Sequence, residues 1–142
     1  MNYTDLKQKH QAEVDAFPLG AAFSDKQFTE MMEKWGLTES DVGMIYSIGH
    51  GCYIRRTDSA AFREMFDRHE AERQRAIDGD KTGEGYIYQM FAFELANHEY
   101  GYTGRFDETF EALDLTYGQV VKNERLRRGL NKALKKYGSR LI

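Results

Sequence analysis

The chain of 142 residues contains one cysteine, one proline and no long uninterrupted apolar run. A single cysteine excludes an intramolecular disulfide framework. The most apolar stretch, residues 86–96, is broken by Gln89 and Glu94 and falls short of the ~20 residues that span a bilayer. Also missing are a Walker loop, a dinucleotide fingerprint, His-Glu-x-x-His and Cys-x-x-Cys. Gly79-Asp80-Lys81-Thr82-Gly83 shares letters with a phosphate loop, but it lacks the glycine spacing and follows a helical pattern rather than a strand. The first residues, Met-Asn-Tyr-Thr-Asp, form no basic-then-apolar leader, so the expected compartment is the cytoplasm of a host cell, with no membrane partner. At 41% hydrophobic, 13% aromatic and 30% charged, the composition excludes a disordered tail and a collagen-like fibre.

Charge is unevenly spread. Residues 122–142 carry eight Lys and Arg against the single acid Glu124, a net +7, whereas the other 121 residues carry 12 basic and 22 acidic side chains, a net −10. A basic terminal helix on an acidic body is read first as a solvated face. It also suits docking on its own acidic body or on a second copy, or contact with phosphate or an acidic protein.

Caps, glycines and the one proline mark the elements. Thr4 or Asp5 is positioned to cap a helix that Pro18 ends. Ser24 with Gln27 forms a capping box for a helix stopped by Gly36, with Phe28, Met31, Met32 and Trp35 as its apolar stripe. Residues 44–48 and 52–54 are β-branched and aromatic and flank Gly49-His50-Gly51, the pattern of a hairpin. A lone hairpin is marginal in water, so it must lie on helices or pair with another strand. A long helix over 59–77 follows, then a loop over 79–85 that its glycines make flexible. Residues 86–98 are apolar nearly all round, as in a buried central helix. Short helices start near Asp107 and at the Thr116/Gln119 capping box. A last helix over 123–137 turns Leu126, Leu130, Ala133 and Leu134 inward and Arg125, Arg128, Lys132 and Lys136 outward. Residues 28–42 align weakly with 106–120, which reads as two amphipathic helices each followed by a threonine cap rather than as a solenoid. The expected fold is α+β, a single mainly helical domain over 1–142 with five to six helices and one small antiparallel β-hairpin.

The best candidate for chemistry is the polar end of the apolar helix. Glu94, Asn97 and His98 share a face, and a carboxylate there needs a partner because burying it alone is costly. His50 and Cys52 alternate across the glycine-flanked hairpin tip. If the tip meets the helix end, His50, Cys52, Glu94 and His98 form a tetrahedral set suited to Zn²⁺, with His69 in reserve. The competing reading makes His50 an exposed turn residue, Cys52 a small hydrophobe, and Glu94 with His98 a structural pair. A Cys52–His98 nucleophilic pair lacks any recognisable orienting group or oxyanion site.

Through Phe17-Pro18-Leu19-Gly20-Ala21-Ala22-Phe23-Ser24-Asp25-Lys26-Gln27-Phe28, Trp35-Gly36-Leu37-Thr38 and above all Glu94-Leu95-Ala96-Asn97-His98-Glu99-Tyr100, the chain resembles a family of small proteins encoded by phages and mobile elements of Firmicutes. The resemblance covers most of residues 15–138. It implies no catalytic activity and assigns no site residues. Small accessory proteins of such elements often act against host defence, some as anti-CRISPR proteins that bind a Cas nuclease. The resulting expectation is a stoichiometric binder of a host defence protein, an inhibitor of a Cas9-type nuclease, monomeric or homodimeric, with any zinc structural. Two alternatives stand beside it: a small metal-dependent hydrolase, and a nucleic-acid binder using Arg125, Arg128, Lys132 and Lys136.

Overall fold

Local chemistry sets the element ends. Asn2, not Thr4 or Asp5, starts the first helix, its side-chain oxygen accepting from the Asp5 N–H at 2.8 Å. Ser24 Oγ accepts from Gln27 N, while the Gln27 side chain reaches back one residue further than a standard capping box, to Phe23 N. Thr116 and Gln119 satisfy each other in a complete capping box. The two aligned segments then diverge, because Thr38 and Asp41 close a turn where Thr116 starts a helix.

The computed structural model describes residues 1–141. Among them are eight α-helices and a three-stranded antiparallel sheet, an α+β fold. The short helices expected near Asp107 and at Thr116 are α6 (Asp107–Ala112) and α7 (Tyr117–Lys122), and the unexpected one is α5 (Tyr100–Thr103), a single turn too short to show a period in the sequence. No helix among the described residues is long and apolar enough to cross a membrane. The chain divides into two compact units, Met1–Lys9 with Ala71–Ile142 and His10–Glu70, and the boundaries fall within α1 (Tyr3–Ala16) and α3 (Ser59–Gly79).

The first unit is built on α4 (Tyr86–Asn97) packed against α8 (Glu124–Leu134). Ile87, Met90, Phe91 and Leu95 of α4 meet Leu126, Leu130 and Leu134 of α8, with Phe110 and Val120 closing the core. Each such side chain, fully buried, stabilises by about 1.5–3 kcal/mol. Gly129 allows the close approach, since a Cβ there would stand 2.5 Å from both the Gly83 carbonyl oxygen and Ile87 Cγ2. The loop over 79–85, expected to be flexible, is instead organised around one carboxylate. Asp80 accepts from Gly83 N at 3.0 Å, Gly85 N at 3.0 Å and Ile87 N at 2.9 Å, which also caps α4.

The second unit holds the sheet, in the order β1 (Gly20–Ala21), β3 (Cys52–Arg55), β2 (Ile45–Gly49). Gly49 pairs with Cys52, leaving a two-residue turn in which His50 and Gly51 both have positive φ, as tight hairpins require. The partner strand that a lone hairpin needs is β1, paired as Gly20 with Tyr53 and Ala21 with Cys52. Met31 and Met32 of α2 (Asp25–Lys34) form a small core with Ala22, against which Phe28, Trp35, Ile45 and Tyr53 pack.

Candidate functional site

In the first unit, α4 carries Glu94 on its core-facing side, 1% exposed. Its Oε1 accepts from the Tyr3 hydroxyl and from Lys7 Nζ, each at 3.1 Å. Tyr3 and Lys7 stand one turn apart on α1 and therefore share a face. The Lys7 ammonium also lies 5.3 Å from the Phe93 ring centroid. Glu94 Oε2 has no hydrogen-bond partner, and His98 Nε2 stands 3.8 Å from it. The other ring nitrogen of His98 is 3.4 Å from Glu108 Oε2. Burial, then the Glu94 charge and hydrogen bond, push the Tyr3 phenol far above its ordinary range. Tyr3 is thus a hydrogen-bond donor at neutral pH, not a base. The acid and imidazole expected on one helix face do approach each other, but the hydrogen-bonding partners of Glu94 are Tyr3 and Lys7. Both are more than 85 positions away in sequence, and the only sequence signal for them was that a buried acid must find a donor.

The four residues of the expected zinc set fall in separate units. His50 occupies the exposed hairpin turn with φ 54°, and Cys52 Sγ lies 3.8 Å from the His50 carbonyl oxygen, both in the second unit. Glu94 and His98 belong to the first. No group of three or more His, Cys, Asp or Glu side chains among the described residues is arranged to hold a metal ion. The reserve ligand His69 is buried, stacks on His10 with ring centroids 3.9 Å apart, and makes a short contact through Nε2 with Glu13 Oε2. Glu13 also accepts from Arg68 at 3.1 Å, and its carboxyl is held below the ordinary range by His69 first and Arg68 second.

The basic helix is not simply a solvated face. Arg125 donates to the carbonyl oxygens of Ile77 at 3.0 Å and Asp80 at 2.9 Å. Arg128 donates to Thr82 O at 3.0 Å and pairs with Glu124 at 2.9 Å. Two of the four cations expected to face nucleic acid therefore hold their own backbone. Lys132 Nζ lies 4.5 Å from the Tyr88 ring centroid and Lys136 Nζ 5.7 Å from that of Tyr137. An open groove of about 460 Å³ runs beside α8, with Lys132, Lys135 and Arg140 among its lining.

In the second unit the sheet leaves apolar surface uncovered. Met44, Tyr46 and Ile48 are exposed, as are Val42 and, at 75%, Phe23. Strand alternation puts Tyr46 on the opposite face from Ile45, which packs toward α2, while Met44 lies in the 3-10 turn (Val42–Met44) before the strand and Ile48 at a bulge between Ser47 and Gly49. β2 is one of the two outer strands of the sheet and carries no charge. Arg56 sits over the Tyr46 ring at 6.0 Å.

No curated protein and no solved structure matches the chain. One family model, described as a family of unknown function (DUF7659), matches residues 2–136, and the chain belongs to that family.

Proposed function

We propose that the protein acts by stoichiometric binding of another protein, with β2 as the docking edge. The observation that carries this reading is an outer strand, Ile45-Tyr46-Ser47-Ile48-Gly49, exposed along nearly its whole length, with apolar side chains and none of the charges or prolines that usually guard such an edge. Its unpaired backbone suits an extended segment of the partner, added as a further strand, with side chains of that segment against Tyr46 and Ile48. Arg56 beside Tyr46 favours a partner segment with an acidic residue at its flank. The resemblance to phage-encoded accessory proteins supplies the target class, a Cas9-type defence nuclease.

The test combines gel filtration and DNA cleavage with a purified Cas9–guide complex. The wild-type protein is expected to co-elute with the nuclease and suppress cleavage at equimolar ratio. Ile48→Lys, which places a charge on an exposed strand position, is expected to weaken binding at least about tenfold, with an unchanged circular dichroism spectrum. Full binding by both Ile48→Lys and Tyr46→Lys would place docking elsewhere. A wild-type dimer that Ile48→Lys dissolves would make the edge a contact between copies.

A further inference from the structure

We propose that the groove beside α8 is a binding site for a ligand carrying successive phosphate groups. It lies wholly in the first unit and is independent of the strand edge. Five cations line it, Arg127, Arg128, Lys132, Lys135 and Arg140, against two acids, Glu84 and Glu124, leaving a local excess of +3 in a chain whose net charge is −3. Two of the arginines are committed, Arg127 to the Val121 carbonyl at 2.7 Å and Arg128 to Thr82 and Glu124. Lys135 and Arg140 are exposed and have no ion-pair partner among the described residues.

Neutral donors complete the wall. Asn131 uses its side-chain oxygen to accept from Leu141 N at 2.6 Å, which fixes the amide and leaves its N–H₂ end for another acceptor. Ser139 adds a hydroxyl. No aromatic or aliphatic residue lines the groove, so what it offers a ligand is chiefly charge and hydrogen-bond donors. Lys132 and Lys135 follow one another along the end of α8 and the turn after it, about 4.5 Å apart along the axis, and Arg140 joins them in the lining. That row suits phosphates in succession better than a single anion. Two sources share this chemistry, a compact oligophosphate and the backbone of a single nucleic-acid strand.

The probes are tripolyphosphate, followed by calorimetry, and a labelled mixed-sequence 12-nucleotide DNA strand, followed by fluorescence anisotropy, both with the full chain. The wild type is expected to bind at least one of them at 50 mM salt. For three phosphate contacts to the strand, counterion release predicts about twentyfold weaker binding at 200 mM. Lys135→Glu combined with Arg140→Glu is expected to lower affinity at least tenfold, whereas Lys26→Glu combined with Lys34→Glu, the same charge change on α2, changes it less than twofold. Binding of tripolyphosphate but not the strand identifies a compact ligand, and binding of the strand identifies a phosphodiester backbone. Failure of both probes at 50 mM salt, or equal losses in the two double variants, would overturn the site.

Discussion

A single carboxylate, Asp80, orders the segment that leads into the central helix. Burial by itself would raise its pKa, but the N–H groups of Ile87, Gly83 and Gly85 outweigh that and hold it below its ordinary value. The folded-state value is therefore lower than the unfolded value near 3.8. The resulting stabilisation is present above that pH and is lost as pH falls through the folded value. Asp80→Asn is expected to cost about 1–3 kcal/mol at pH 7, as loss of hydrogen bonds to a charged acceptor does. Its deficit against the wild type should shrink between pH 4 and pH 2 in urea titrations. A deficit independent of pH would mean the carboxylate charge is not what orders the loop. The role of Asp80 was only half legible in the sequence. Three glycines between positions 79 and 85 signal flexibility, whereas the informative pattern was an acid shortly before two of those glycines and the start of an apolar helix. Glu94 is the converse case. Its need for a partner could be read from one helix, but Tyr3 and Lys7 could be named only once the fold brought α1 to α4.

Elements whose cues are local were readable. The Ser24 and Thr116 caps, the buried character of α4 and the two faces of α8 all follow from residues within one or two turns of each other. β1 was not readable, because two residues carry no period and their strand character comes entirely from pairing with β3. The close fit of α8 against α4 and the Asp80 loop gives a sharp test. Gly129→Ala would drive a methyl into the Gly83 carbonyl and Ile87, and is expected to destabilise by about 2–3 kcal/mol, read as a lower urea midpoint. Gly118→Ala, on the open face of α7 where nothing stands closer than 3.9 Å, is expected to be neutral or stabilising by up to about 1 kcal/mol. Similar midpoints for the two variants would mean that the α4–α8 contact is looser than the structure has it.

At the scale of the whole chain, the two units are unequally consolidated. The first has thirteen buried hydrophobic residues in one cluster; the second has a cluster of three, supported by partly buried neighbours. Native-state hydrogen exchange is therefore expected to be slowest in α4 and α8, with amides of β2 exchanging at least about 100-fold faster, as follows when local opening is governed by buried apolar contact. Uniform protection across both units would contradict this. The charge asymmetry was plain in the sequence, but charge counting cannot tell a cation facing solvent from one spent on a carbonyl, and Arg125 and Arg128 are of the second kind. The lone thiol has a practical consequence of its own. Cys52 is half-buried, next to the hairpin turn and directly across from Gly49 of β2. One maleimide dye will therefore mark that corner and nothing else, and its emission can follow occupancy of the neighbouring edge in real time without any other residue being engineered away.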